Sequence, residues 1–179
     1  MKNTKSNLAG IAVCSLFTAV ICILSQIFVP TPTGVPVTLQ LFAVSLCGYL
    51  LGMKKALISV AAYILLGLIG IPVFSGFKGG VHNLFSLTGG FIFGFLFVAL
   101  FCGIAKNTRN AYLKIILSAA GVVLCHIFGT VQLALVSKSG FVSAFLTASL
   151  PFILKDFLFC AVAYFIAKAV NKRFKAYDI

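Results

Sequence analysis

Of 179 residues, 61% are hydrophobic and 9% charged, against about 25% charged in an ordinary soluble domain. A chain this apolar has too little polar surface to fold in water. Its net charge of +12 is not a nucleic-acid patch, because the basic residues stand in small groups between apolar runs, as topology-setting charges do. A soluble enzyme and a nucleic-acid-binding domain are thereby excluded, and an all-α integral membrane protein is predicted.

A bilayer span takes about 20 mostly apolar residues, so the chain has room for a six-transmembrane-helix bundle forming one domain over residues 1–179. The first span is predicted from Leu8 to Val29, read as a retained helix rather than a cleaved signal. Pro30, Pro32, Gly34 and Pro36 end it, since prolines lack the amide proton a helix needs. The second span runs from Val37 to Met53, with a turn at Lys54 and Lys55, and the third from Ala56 to Ile71. A glycine-rich loop, Pro72 to Ser86, precedes the fourth span, Leu87 to Ile104. The fifth covers Tyr112 to Val136. The last apolar region, Phe141 to Val170, is long enough for a short segment, a break at Pro151 and a sixth span.

With the N-terminus in the cytoplasm, six spans put eleven basic residues on the cytoplasmic side: Lys2, Lys5, Lys54, Lys55, Lys106, Arg109, Lys114, Lys168, Lys172, Arg173 and Lys175. Three, Lys78, Lys138 and Lys155, fall outside. That is a strong positive-inside bias, and it predicts both termini in the cytoplasm. The same map sends the Pro-rich loop, the Gly-rich loop and the Pro151–Asp156 region to the outer side. Irregular backbone at membrane depth persists only where it is buried in protein or lines a cavity, so an outward-facing pocket is expected there.

Of the two acids, Asp178 is next to the C-terminus, whereas Asp156 lies among apolar residues. An ionisable group in a span is costly without partners. Two readings follow: a helix cap paired with Lys155, or a ligand-facing acceptor suited to paired N–H donors and cations. In the Gly-rich loop, Gly79 and Gly80 would let backbone approach a ligand, Phe74 and Phe77 would form an apolar wall, and Asn83 offers donor and acceptor. A flexible outer turn explains the same residues. For Gln40, His126 and Gln132 an interhelical hydrogen bond is the simpler expectation. Ala12, Ser15 and Ala19 share one face of the first helix, where small side chains admit a neighbouring helix, inside the protein or beyond it. The cysteines (Cys14, Cys22, Cys47, Cys102, Cys125 and Cys160) fall within apolar runs without a CxxC pair and read as apolar filler. There is no HExxH, no carboxylate pair and no P-loop, so neither catalysis, a bound cofactor nor autonomous ATP hydrolysis is expected.

Taken in order, Pro36-Val37-Thr38-Leu39-Gln40, Gly70-Ile71-Pro72-Val73-Phe74, Gly79-Gly80, Thr88-Gly89-Gly90-Phe91 and Pro151-Phe152-Ile153-Leu154-Lys155-Asp156 resemble the motifs of the BioY family. Those proteins are the biotin-binding S components of energy-coupling-factor (ECF) transporters. The resemblance implies a vitamin site near the outer face, built around Asp156, Asn83, Lys155, Gln40, Phe74, Gly79, Gly80 and Thr88. It implies a coupling transmembrane subunit and two cytoplasmic ATPases as partners, in the cell membrane, with Ala12, Ser15 and Ala19 against the coupling subunit. Leu87 stands where the family often has proline. Lys155 and Phe159 stand where many members have glycine and lysine, which leaves Lys155 or Lys78 as the expected cation for a ligand carboxylate. Rival expectations are an S component for thiamine or riboflavin, and a small self-sufficient transporter or channel.

Overall fold

The computed structural model describes residues 2–176; Asp178 falls outside them. Helix α1 (Lys2–Ser25) leads into a short antiparallel hairpin of β1 (Phe28–Val29) and β2 (Val37–Thr38). Then follow α2 (Gln40–Leu51), α3 (Met53–Leu68), a 3-10 turn (Val81–Phe85), α4 (Gly89–Asn107), α5 (Ala111–Ser137), α6 (Phe141–Ala148) and α7 (Leu150–Ala176).

Local chemistry sets several of these boundaries. Asn110 caps α5, its Oδ1 accepting from the backbone N–H of Tyr112 at 2.9 Å, which satisfies a donor the helix start leaves open. Gly52 sits at φ +78 between α2 and α3, a left-handed conformation that costs glycine little. α2 lies close against α4, where a Cβ on Gly48 would come within 2.6 Å of the Cys102 side chain. The buried core is continuous, with residues from α1 (Ile21), α2 (Val44, Cys47), α3 (Val60, Tyr63), α4 (Val98, Cys102), α5 (Val122) and α7 (Ala163).

Among the described residues, four helices, α1, α4, α5 and α7, are long and apolar enough to cross a membrane. α2 has 12 residues and α3 has 16. At about 1.5 Å per residue these reach roughly 18 and 24 Å, short of a hydrocarbon core of about 30 Å. The hairpin and the segment from Ile69 to Thr88 lie at one end of the bundle, before α2 and after α3.

Several boundaries differ from the sequence-based expectation. α1 ends at Ser25 and not Val29, because Phe28 and Val29 pair with Thr38 and Val37. The Pro-rich segment is therefore a pinned hairpin, its tip closed by Thr31 Oγ1 donating to the Val35 carbonyl at 2.6 Å. The break in the last apolar region falls at Ser149, the residue that directly follows α6. Pro151 lies inside the first turn of α7, where the missing N–H would have had no helical partner.

Candidate functional site

The irregular segments meet at the end of the bundle where α1, α3 and α5 finish and α2, α4 and α7 begin. One cavity lies there, with about 70 Å³ of free space. Small-molecule pockets usually offer roughly 300–1,000 Å³, so a ligand entering here must displace side chains. The hairpin contributes Val35, Pro36 and Thr38, the loop after α3 contributes Phe74, Ser75 and Lys78, and α4 contributes Phe91, Ile92 and Phe95. His126 of α5 and Phe152, Lys155 and Asp156 of α7 add polar and aromatic lining.

Asp156 is 7% exposed and sits between two basic side chains. Its Oδ2 accepts from His126 Nε2 at 3.1 Å, and its Oδ1 lies 2.7 Å from Lys155 Nζ. That second contact is an ion pair without the alignment of a hydrogen bond, so Oδ1 has no hydrogen-bond donor. Lys155 also lies 5.1 Å from the Phe159 ring centroid, a cation–aromatic contact at the position where the motif comparison placed a lysine. Asp156 lies inside α7, past its first turn, so it is not the helix cap that one sequence reading made it; it pairs with Lys155 and lines the cavity.

Buried polar atoms without partners are costly and uncommon. Among the described residues they are Ser45 Oγ, Ser75 Oγ, His126 Nδ1 and Asp156 Oδ1. Three of these four residues line this one cavity.

Of the eight binding residues expected from the sequence, the structure brings Asp156, Asn83, Lys155, Gln40, Phe74 and Thr88 to the cavity wall. Gly79 and Gly80 are not part of that wall. A Cβ on Gly79 would lie 2.5 Å from the Ile71 carbonyl oxygen, so this glycine serves the packing of the loop on itself. The Asn83 NH2 donates to the Gly79 carbonyl at 2.6 Å and lies 3.1 Å from His82 Nε2, which fixes the loop. Gln40 donates to Tyr63 Oη at 2.7 Å and accepts from Thr38 Oγ1 at 2.9 Å; it is the expected interhelical bridge and its amide faces the cavity already satisfied. Gln132 donates to the Leu84 and Ser86 carbonyls and holds the 3-10 turn. Phe74 is buried, with its ring over Gly67 and edge-to-face with Tyr63 at 5.5 Å. A Cβ on Gly67 would lie 2.0 Å from that ring, so glycine is what lets Phe74 seat there.

Sequence reasoning missed His126 and Ser75 as cavity residues. Thirty residues separate His126 from Asp156, and only the packing of α5 on α7 joins them. The signal that was available was an ionisable residue in a span, which defaults to a functional reading.

On α1, Ala12, Ser15 and Ala19 are exposed, whereas Cys14, Thr18, Ile21 and Ser25 face the core. Thr18 Oγ1 donates to the Ser59 carbonyl at 3.0 Å and ties α1 to α3. The small-residue face therefore does not serve packing within the chain.

Residues 1–176 match the BioY family. The probable biotin transporter BioY of Pyrococcus horikoshii is 35% identical over 161 residues, covering 90% of this chain and 95% of that protein. The biotin transporter BioY of Thermotoga maritima is 35% identical over 158 residues, covering 88% and 92%. A crystal structure of the S-component for biotin from an ECF-type ABC transporter superposes with a TM-score of 0.84 at 27% identity, covering 94% of this chain and 93% of the other. The fold described above is thus the S-component fold, and the chain is a multi-pass membrane protein.

Proposed function

The chain belongs to the BioY family, a family of transporter substrate-binding components and not of enzymes, and on that premise we propose that it captures biotin in this cavity and delivers it to an ATPase-driven coupling module. The carrying observation is that two buried polar atoms without partners, Ser75 Oγ and His126 Nδ1, share one cavity wall with Asp156 Oδ1, whose one contact is the Lys155 ammonium. Biotin's ureido group presents two N–H donors on a flat, otherwise apolar bicycle. Asp156 Oδ1 accepts one of them. With Nε2–H directed to Asp156, the His126 Nδ1 lone pair accepts the other. Ser75 Oγ–H serves the ureido carbonyl, since the Gly79 carbonyl and His82 Nε2 already engage the Asn83 NH2. Phe74, Phe91 and Phe152 supply the apolar walls. Lys155 is engaged with Asp156, so the exposed Lys78 is the cation that meets the ligand carboxylate.

In this reading residues 1–179 form one membrane domain with six spans, α1 to α5 and α7. The cavity opens outward and both termini are cytoplasmic. The coupling transmembrane subunit docks on Ala12, Ser15 and Ala19, and two cytoplasmic ATPases power the cycle.

Calorimetric titration of the purified protein with biotin, thiamine and riboflavin tests the substrate. Saturable binding of biotin alone is expected, and binding of another vitamin in its place overturns the assignment. Biotin flux into liposomes that hold this chain without partners would replace the S-component reading with that of a self-sufficient transporter.

A further inference from the structure

α1 does not simply stop at Ser25. Its last side chains reach across to the loop that walls the cavity. Ser25 Oγ donates to the Val73 carbonyl. Gln26 Nε2 lies 3.1 Å from the same carbonyl and 3.3 Å from that of Phe74. At the other end of the amide, Gln26 Oε1 accepts from the Phe77 backbone N–H at 2.9 Å. The orientation of the amide is fixed by these partners, since two carbonyls demand the nitrogen and one N–H demands the oxygen.

The loop so held is a small closed unit. Phe74 and Lys78 pair with each other, N–H to carbonyl in both directions, at 2.9 and 3.2 Å. Phe77, at φ +56, occupies the left-handed region that non-glycine residues enter at a cost. Its ring is exposed, while Phe74, Ser75 and Lys78 face the cavity. Within this loop, Gln26 thus braces the one residue whose backbone favours another conformation.

We infer that Gln26 is a positioning residue that latches the Phe74–Lys78 wall of the cavity to the end of α1, so that movement of α1 changes how tightly this wall closes. The inference rests on the biotin-binding reading of the cavity and on docking of the coupling subunit against Ala12, Ser15 and Ala19. It deepens that reading by giving it a route: the helix with the docking face ends in the side chain that holds the cavity wall. A docked partner that tilts α1 then pulls on Val73, Phe74 and Phe77 directly, and release of the ligand follows from loss of three hydrogen bonds.

The test compares wild-type protein with Gln26→Ala and Gln26→Glu in two measurements. The first is amide hydrogen exchange over residues 73–78 without ligand. The Phe77 N–H is expected to exchange faster in Gln26→Ala. It should stay protected in Gln26→Glu, which keeps the acceptor and loses the donor. The second is dissociation of labelled biotin. Loss of the latch is expected to raise the off-rate roughly five- to fifty-fold in Gln26→Ala, the range that one or two net hydrogen bonds represent, with the Glu variant in between. Unchanged exchange at Phe77 in Gln26→Ala overturns the latch. Faster exchange with an unchanged off-rate overturns its control of the cavity. If the wild-type protein binds no biotin, the functional reading fails, and the exchange data still decide whether the latch exists.

Discussion

At Asp156 two basic neighbours share one carboxylate, His126 at 3.1 Å and Lys155 at 2.7 Å. An unpaired ionised carboxylate among apolar helices costs several kcal/mol. The Lys155 ammonium offsets that cost, and its side chain is still 23% exposed, so the pair is partly solvated. Replacing Asp156 by alanine strands His126 Nε2 and removes the acceptor for the ureido group. A hydrogen bond to a charged group contributes about 1.5–3 kcal/mol, so Asp156→Ala is expected to weaken biotin binding by roughly ten- to several-hundred-fold in protein that still melts cooperatively. Asp156→Asn keeps one acceptor oxygen and should lose less. Unaltered affinity in folded Asp156→Ala protein would remove this residue from the site and leave it as a structural partner of His126 and Lys155. A lone acid in an apolar run was legible in the sequence because its cost is local. Its partner His126 was not, because the cost of an unpartnered Nδ1 exists only once α5 packs on α7. The packing role of Gly79 was hidden for a related reason: a glycine that serves loop packing and one that admits a ligand look alike without the carbonyls of Gly70 and Ile71 in view.

Elements differ in how much of their environment their own sequence encodes. α4 and α5 read cleanly because a long apolar helix satisfies its backbone internally, which a bilayer requires. The hairpin Phe28–Thr38 did not, since two residues per strand carry no periodicity, and prolines announce where a helix stops without saying what the chain does next. α1 is the intermediate case. The spacing of Ala12, Ser15 and Ala19 marked one face, and packing decides that the face points away from the core. Because these residues are exposed, bulk there has room within the chain. Ser15→Trp and Ala19→Trp are therefore expected to keep their thermal stability and biotin affinity while losing co-purification with the coupling subunit. Normal co-purification of both variants would take the partner off this face.

Seen whole, the molecule separates its cations by end. Lys78 and Lys155 line the cavity, and Lys138 follows α5 at the same end. Lys106 Nζ donates to the Leu50 carbonyl at 2.6 Å beside the α2–α3 turn, and Lys114 lies over the Tyr164 ring at 5.6 Å, far along α7 from Asp156. The sorting that the charge count expected from sequence thus coincides with the two ends of the bundle. Positive charge is retained on the cytoplasmic side during insertion, so the end holding Lys54, Lys55, Lys106, Arg109 and Lys172 is expected to face inward and the cavity outward. α2 and α3 are the weak point of that topology, because each is shorter than the hydrocarbon core. They traverse it only if the hairpin and the Gly-rich loop sit within the membrane boundary, shielded by α4 and α7. Single cysteines introduced as Lys54→Cys, Lys138→Cys and Lys172→Cys and probed with a membrane-impermeant maleimide on intact cells read this directly. The native cysteines are buried apart from the half-buried Cys22 and should contribute little background. Position 138 is expected to label from outside, and positions 54 and 172 only after permeabilisation. Labelling of position 54 on intact cells would mean that α2 and α3 do not cross as a pair of spans. Labelling of position 172 would turn the C-terminus outward and leave an odd number of crossings.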